Sequence, residues 1–245
     1  MADARPAAVS PGSPGLLARL AGIVFSPRRT YTAVAARPRV AGVLFVTLLI
    51  SGGCQLWLFS TEPGRQAMRN EFRAIGDRAS AQSEVPAEQR QVVEWIVSYV
   101  GIAFAVVQII FWPAFLALFA VILKGICNAL FDGARSFRQL FAVVAHSNVI
   151  PTVVTLFHAP LIYAKEELAS PTKLGVMLPM LPEQGMVSFV GWLDLFWIWW
   201  CVNLAIGLGA LYARRTAPIA ATFLSLYGGI GLVVVILRTL FQGRT

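Results

Sequence analysis

The sequence predicts an all-α, polytopic integral membrane protein with five transmembrane helices preceded by N-terminal amphipathic juxtamembrane helices. Three observations carry this. The chain is 57% hydrophobic and 13% charged, with a mean hydropathy of +0.69, whereas soluble domains are about 25% charged. It holds five long apolar stretches. The polar segments between them alternate in positive charge, as loops on opposite sides of a membrane do.

The elements follow in chain order. Residues 1–14 are rich in Ala, Pro, Ser and Gly and read as a disordered tail, unable to bury enough surface to offset ordering entropy. Residues 15–39 read as amphipathic juxtamembrane helices. Leu16, Leu17, Leu20, Ile23 and Val24 recur at helical spacing opposite Arg19, so the first of these is expected to lie on the membrane surface. In Ser26-Pro27-Arg28-Arg29-Thr30-Tyr31, Ser26 can cap and Pro27 suits a first helical position, so a second helix starts there and ends before Pro38. Arg19 interrupts the early apolar run, which argues against a cleavable signal and makes the first span the expected targeting element.

A five-span membrane domain is expected over 40–241. Residues 40–60 form the first span, roughly 31 Å at the helical rise, matching the roughly 30 Å hydrocarbon core. In the polar segment 61–94, Met68, Phe72 and Ile75 share a face among Arg65, Arg69 and Arg73, an interfacial helix. Residues 95–127 read as one long tilted helix kinked near Pro113, because no polar turn divides them. Residues 140–163 form the third span, interrupted by Pro151 and Pro160, and 187–212 and 218–241 the last two.

The net charge of +8 points to anionic headgroups rather than nucleic acid, because many of the arginines flank the spans. The N-terminal segment carries six Arg against Asp3, and segment 61–94 five Arg against six acids. Lys124, Arg135 and Arg138 face Asp132, Lys165 and Lys173 face Glu166, Glu167 and Glu183, and Arg214 and Arg215 complete the alternation. A cytoplasmic N-terminus in a bacterial inner membrane is the expectation. Trp57, Trp95, Tyr163 and Trp192 fall near the predicted outer boundary, as an interfacial aromatic belt requires.

No catalytic signature is present: there is no G-x-S-x-G, H-E-x-x-H or P-loop. Cys54, Cys127 and Cys201 lack C-x-x-C spacing and read as packing residues, so no metal, cofactor or enzymatic activity is expected. The informative polar residues lie inside the spans: His146, Asn148, His158, Asp194 and Asn203, with Ser147 beside them. Buried ionisable groups there mark either a proton or solute path or polar bonds between helices. His158 and Asp194 fall at comparable depth, so the two can pair. Ala205 and Gly209, and Ser225 and Gly229, are small residues four apart, suited to packing spans four and five together or two copies of the chain.

Three segments resemble the Yip domain family of membrane proteins, named for eukaryotic members that interact with Ypt and Rab GTPases. They are Ile23 to Tyr31, containing Ser26-Pro27-Arg28-Arg29-Thr30; Phe137 to Pro151, following Asp132-Gly133; and Trp199 to Leu208, ending in Ile206-Gly207-Leu208. The resemblance implies five membrane helices with a cytoplasmic N-terminus, and no catalytic residue. The Asp-Leu-Tyr-Gly-Pro string of the eukaryotic members is absent, so the chain looks more like the short prokaryotic-type members.

Two functional readings follow. One is a non-enzymatic scaffold or adaptor whose Arg19, Arg28 and Arg29 contact lipid headgroups or a protein partner. The other is a small transporter or channel using the intramembrane polar residues.

Overall fold

The computed structural model describes residues 15–79, 87–131, 134–168, 170, 172–174 and 186–242; the tail expected at 1–14 lies outside them. The described elements are helical: α1 Leu16–Phe25, α2 Pro27–Ala36, α3 Ala41–Ser60, α4 Glu62–Ala79, α5 Ala87–Val106, a π turn Val107–Phe111, α6 Trp112–Leu130, α7 Phe137–Ser147, α8 Val149–Lys165, α9 Met186–Trp192, α10 Leu195–Tyr212 and α11 Thr216–Gln242. Five segments are long and apolar enough to cross a membrane: Ala41–Ser60, Gln91–Leu130, Phe137–Lys165, Leu195–Tyr212 and Thr216–Leu237.

Pro113 and Pro151 mark where the second and third spans depart from regularity, whereas Pro160 lies inside α8 without ending it. Pro113 has no N–H to offer the Ile109 carbonyl, and the turn before it widens so that Trp112 N–H reaches Val107 O, five residues back. Pro151 likewise leaves the Ser147 carbonyl without its helical partner. The third span breaks at Asn148, whose ψ of -9° separates α7 from α8. At the start of α7 a capping box closes: Gln139 N–H donates to Ser136 Oγ at 3.3 Å, and Ser136 N–H to Gln139 Oε1 at 3.1 Å. The free amide nitrogen of Gln139 donates to Ala35 O at 3.2 Å, tying α7 to the end of α2.

The amphipathic pair α1 and α2 is present, and one face of it is covered by protein. The two helices form a hairpin docked into the bundle against α7, α8 and α10. Ile23 and Tyr31 are fully buried and share a core with Leu140, Val143, Val144, Leu204 and Leu208. The physical reason lies in complementary backbones. A Cβ on Gly207 would sit 2.7 Å from Val143 Cγ1 and 2.9 Å from the Tyr31 ring, and one on Gly22 would collide with Thr30 Oγ1. Glycine at these two places lets four helices, α1, α2, α7 and α10, approach, and burial of the apolar faces then stabilises the docked hairpin. Ser26 contributes no side-chain cap. Its carbonyl instead accepts from both the N–H and the hydroxyl of Thr30, at 3.2 and 3.0 Å.

A second, smaller core lies at the opposite end, where Leu58, Phe59, Val97, Val100 and Ala159 meet Met68 and Phe72 of α4. Arg69 locks α4 down, bonding Glu62 at 2.8 Å and Glu94 of α5 at 3.1 Å. Arg65, then Arg69, hold the exposed Glu62 carboxyl below its ordinary range. Asn70 Nδ2 donates to the carbonyl of Glu166 at 3.1 Å, where α8 ends in a left-handed residue with φ 55°. Trp57 and Tyr163 stack at this end with centroids 5.6 Å apart. Between the two ends, Ile102, Ile110, Phe115, Leu118, Val233 and Ile236 are exposed, the apolar surface a bilayer covers.

Ser225 and Gly229 do not carry the packing of the last two spans. Both are exposed, and nothing lies within 4 Å of a Cβ placed on Gly229. The close approaches fall instead at Gly209, where a Cβ would sit 3.1 Å from Thr216 Oγ1 at the start of α11, and at Gly231, where it would collide with the Trp192 ring.

Candidate functional site

Asn203 is the centre from which the polar interior is best understood. It sits halfway along α10, 1% exposed, and both ends of its amide are used. Its Oδ1 accepts from the Tyr31 hydroxyl at 2.6 Å, and its Nδ2 donates to the Ile23 carbonyl at 2.9 Å. That carbonyl needs an outside donor because the residue four positions on is Pro27, which has no N–H. Burial pushes the Tyr31 phenol well above its ordinary value of 10.0, so it remains a donor. Asn203 thus fastens both helices of the N-terminal hairpin.

His146, on α7, is fully buried. Its Nδ1 lies 2.7 Å from Ala142 O, within its own helix, while its Nε2 is buried without a hydrogen-bond partner. Arg19 on α1 is half-buried and close enough for its charge to act on this ring. Asn148, at the break between α7 and α8, accepts from Trp112 Nε1 at 2.9 Å, and Thr152 Oγ1 returns to its carbonyl at 3.0 Å. Ser147 Oγ donates to Val144 O at 2.8 Å.

Asp194 is not within a continuous helix. The chain breaks between α9 and α10, and Asp194 caps α10 by accepting from Phe196 N–H at 2.9 Å. Ser170 Oγ and Thr172 Oγ1 donate to its two oxygens at 2.6 and 3.0 Å, while its own N–H donates to Tyr227 Oη at 3.1 Å. Residues 172–174 run beside 193–195 as a short antiparallel bridge, with Leu174 N–H on Leu193 O at 2.9 Å and Leu195 N–H on Thr172 O at 3.2 Å. A carboxylate so placed satisfies the orphan amides of a helix start and meets the favourable end of its dipole.

His158 is close enough to Asp194 for the carboxylate charge to act on its ring. Its ring packs edge-on against Phe196, with centroids 5.8 Å apart, and it lines a cavity of about 210 Å³ with Gln55, Leu58, Phe104, Val154 and Ile162. No ion pair joins it to Asp194 among the described residues. Of the five polar positions singled out from sequence, His158 alone lines this cavity. Asn148, Asp194 and Asn203 are bonded to separate partners.

Positive charge is in excess at one end of the bundle. Arg37, Arg39, Arg138, Arg214 and Arg215 are exposed at that end. The guanidiniums of Arg135 and Arg214 there lie over Tyr212 and Phe131, at 5.9 and 6.0 Å. Tyr212 Oη also donates to Asn128 Oδ1 at 2.6 Å, which receives the Arg135 N–H at 3.1 Å as well. The other end is mixed: Glu62, Glu94, Glu166 and Asp194 lie there together with Arg65, Arg69, Lys165 and Lys173. Arg28 and Arg29 are exposed in the first turn of α2. Among the described residues no group of three or more His, Cys, Asp or Glu could hold a metal ion.

Sequence reasoning missed Tyr31, Trp112 and Gln55. Tyr31 carried a signal: Pro27 four residues after Ile23 leaves a carbonyl that a buried amide must reach. Gln55, a polar side chain inside the first span, carried the same signal as Asn203, whereas Trp112 sits in an apolar run and carried none.

Searches of curated proteins and of solved structures return no match. A family model, the Yip1 domain, matches residues 21–238. The match takes in most of the docked hairpin together with all five spans, and the chain accordingly belongs to the Yip1 domain family, as a multi-pass integral membrane protein.

Proposed function

We propose that the protein is a non-enzymatic membrane scaffold or adaptor, presenting a basic end to anionic headgroups or a protein partner. The observation that carries this is the placement of Arg28 and Arg29. Both stand exposed in the first turn of α2, where cations oppose the helix dipole by about 0.3–1 kcal/mol each. Their position is therefore unfavourable for the helix itself and suited to an external anion. The hairpin that carries them is fastened through Tyr31, Asn203 and Ile23, so a load on α2 reaches the membrane bundle directly. Arg19 differs from them in being half-buried.

The excess of positive charge at one end supports a cytoplasmic basic end, and with it a cytoplasmic N-terminus in a bacterial inner membrane. Residues 15–39 act as the presenting element and 40–241 as the membrane domain. Local bonding of Asn148, Asp194 and Asn203 favours a structural role for these residues over a transport path.

The test is photo-crosslinking from positions 28 and 29 of the full chain in its native membrane, with mass spectrometry of what is captured. A reproducible protein or anionic lipid captured there, and absent from position 229, is expected. Capture equal at all three positions, together with solute flux that Asp194→Asn abolishes, would replace the adaptor by a transporter.

A further inference from the structure

The cavity beside His158 has a chemistry that neither the packing nor the adaptor reading uses. It lies between α3, α5 and α8, open on one side, with a volume of about 210 Å³. Cavities of about 150 Å³ hold a benzene-sized molecule, so this one has room for a polar head and several methylenes. Its walls are mainly apolar, from Leu58, Phe104, Val154 and Ile162, and two polar side chains from facing helices join them, Gln55 and His158.

Gln55 Oε1 and His158 Nε2 are both buried and both without a hydrogen-bond partner. A buried polar atom left unpaired costs about 1–3 kcal/mol, and packing alone gives no reason to gather two at one cavity. The other polar side chain there, Thr155, is already committed, its hydroxyl donating to Pro151 O at 3.1 Å.

Position narrows the ligand. Gln55 lies five residues before Ser60, the end of α3, and His158 seven before Lys165, the end of α8. At the helical rise both stand roughly 8–10 Å inside the helix ends, below the stacked Trp57 and Tyr163. That is the level of lipid glycerol and upper acyl chain, not of bulk solvent. Exposed Leu56 and Phe157 beside the cavity are apolar, so an occupant arrives from the bilayer.

We propose that this cavity is a binding site for a lipid alcohol, either a single-chain alcohol or the free hydroxyl of a diacylglycerol. Both atoms are covered by their neighbours, so the two side chains turn toward the occupant, whose hydroxyl then donates to Gln55 Oε1 and accepts from His158 Nε2–H. The alkyl portion lies along Leu58, Phe104 and Ile162. An ester carbonyl has no proton for the glutamine oxygen, so ordinary diacyl phospholipids leave one atom unpaired.

The test uses the full chain in nanodiscs with clickable, photoreactive hexadecanol and diacylglycerol, each beside its methyl ether. Labelled peptides are mapped by mass spectrometry. Labelling of 54–59 or 154–162 by at least one alcohol, exceeding its ether about fivefold, is expected for the loss of one hydrogen bond, and the responding probe identifies the source. Gln55→Leu and His158→Leu should each lower that labelling to the ether level, with monodispersity on gel filtration as the folding control. Equal labelling by alcohol and ether in the native protein, or none at these peptides with either alcohol, overturns the proposal without reference to any variant.

Discussion

The Tyr31 hydroxyl meets the Asn203 side-chain oxygen at 2.6 Å, although the residues are 172 apart in sequence. The bond joins the N-terminal hairpin to the midpoint of a membrane span. Because the same amide donates to the Ile23 carbonyl that Pro27 leaves without a partner, Asn203→Leu strands two buried groups. The expected loss is about 2–4 kcal/mol, against about 1–2 kcal/mol for Tyr31→Phe, which removes one donor and leaves one acceptor. The double variant should lose less than the sum, because the two substitutions remove partners of one bond. Thermal unfolding in detergent, followed by labelling of the buried thiols Cys127 and Cys201, measures all three. An Asn203→Leu protein as stable as the native one would show that the amide does not hold the hairpin.

Alkaline pH tests the same clamp from the other partner. Burial raises the Tyr31 phenol above its ordinary value of 10.0, so the folded protein holds this proton more tightly than the unfolded chain. Its contribution is fully present below the unfolded value near pH 10 and is lost as pH rises towards the folded one. Native protein should therefore lose stability above pH 10 more steeply than Tyr31→Phe, with parallel curves between pH 7 and 9. Melting curves across pH 7–11 give the comparison, and identical slopes for the two proteins above pH 10 would show that the Tyr31 phenol is not buried in the folded protein, which the clamp requires.

The five spans were legible because bilayer length and hydropathy constrain them more tightly than packing does, and α4 because Met68 and Phe72 keep a helical stripe among arginines. The docking of α1 was not. Leu16, Leu20 and Ile23 make a face that lipid or protein can cover equally well, and periodicity does not distinguish the two. Asp194 was obscured for a related reason. The apolar run from Val187 to Tyr212 is continuous in sequence, whereas the chain breaks at Asp194 because its carboxylate satisfies a new helix start better than a helix interior. The pairing of Ser225 with Gly229 misled by spacing alone, since two glycines in close approach, Gly207 and Gly231, are selected by the bulk of Tyr31, Val143 and Trp192 opposite them.

Alanine at three glycines separates close approach from helix propensity. At Gly207 the added methyl meets Val143 and Tyr31, and at Gly231 it meets the Trp192 ring. Overpacking of this kind costs about 1–3 kcal/mol, with Gly207→Ala also loosening the hairpin. At Gly229 nothing lies within 4 Å, so Gly229→Ala should be neutral or stabilising by up to about 1 kcal/mol through propensity. Detergent melting temperatures rank the three, and a Gly229→Ala protein less stable than Gly207→Ala would reverse the assignment of contacts.

Asp194 organises the junction between the 170–174 segment and the start of α10, so its variants should act locally before they act globally. Asp194→Ala removes the acceptor for Phe196 N–H and for both hydroxyls of Ser170 and Thr172. Loss of the cap alone costs about 0.5–2 kcal/mol. Asp194→Asn keeps one oxygen, enough for Phe196 N–H and Thr172, but presents an amide nitrogen where Ser170 now donates, so its effect should be smaller. Hydrogen exchange resolved by peptide should show faster exchange of Leu174 and Leu195, whose amides close the antiparallel bridge at 2.9 and 3.2 Å, in the order Ala, then Asn, then native. The lower half of α10, enclosed by the hairpin through Asn203, should stay protected in all three. If protection there collapsed together with the junction, Asp194 would belong to one cooperative unit with the hairpin, and the two ends of the bundle would not be independently held.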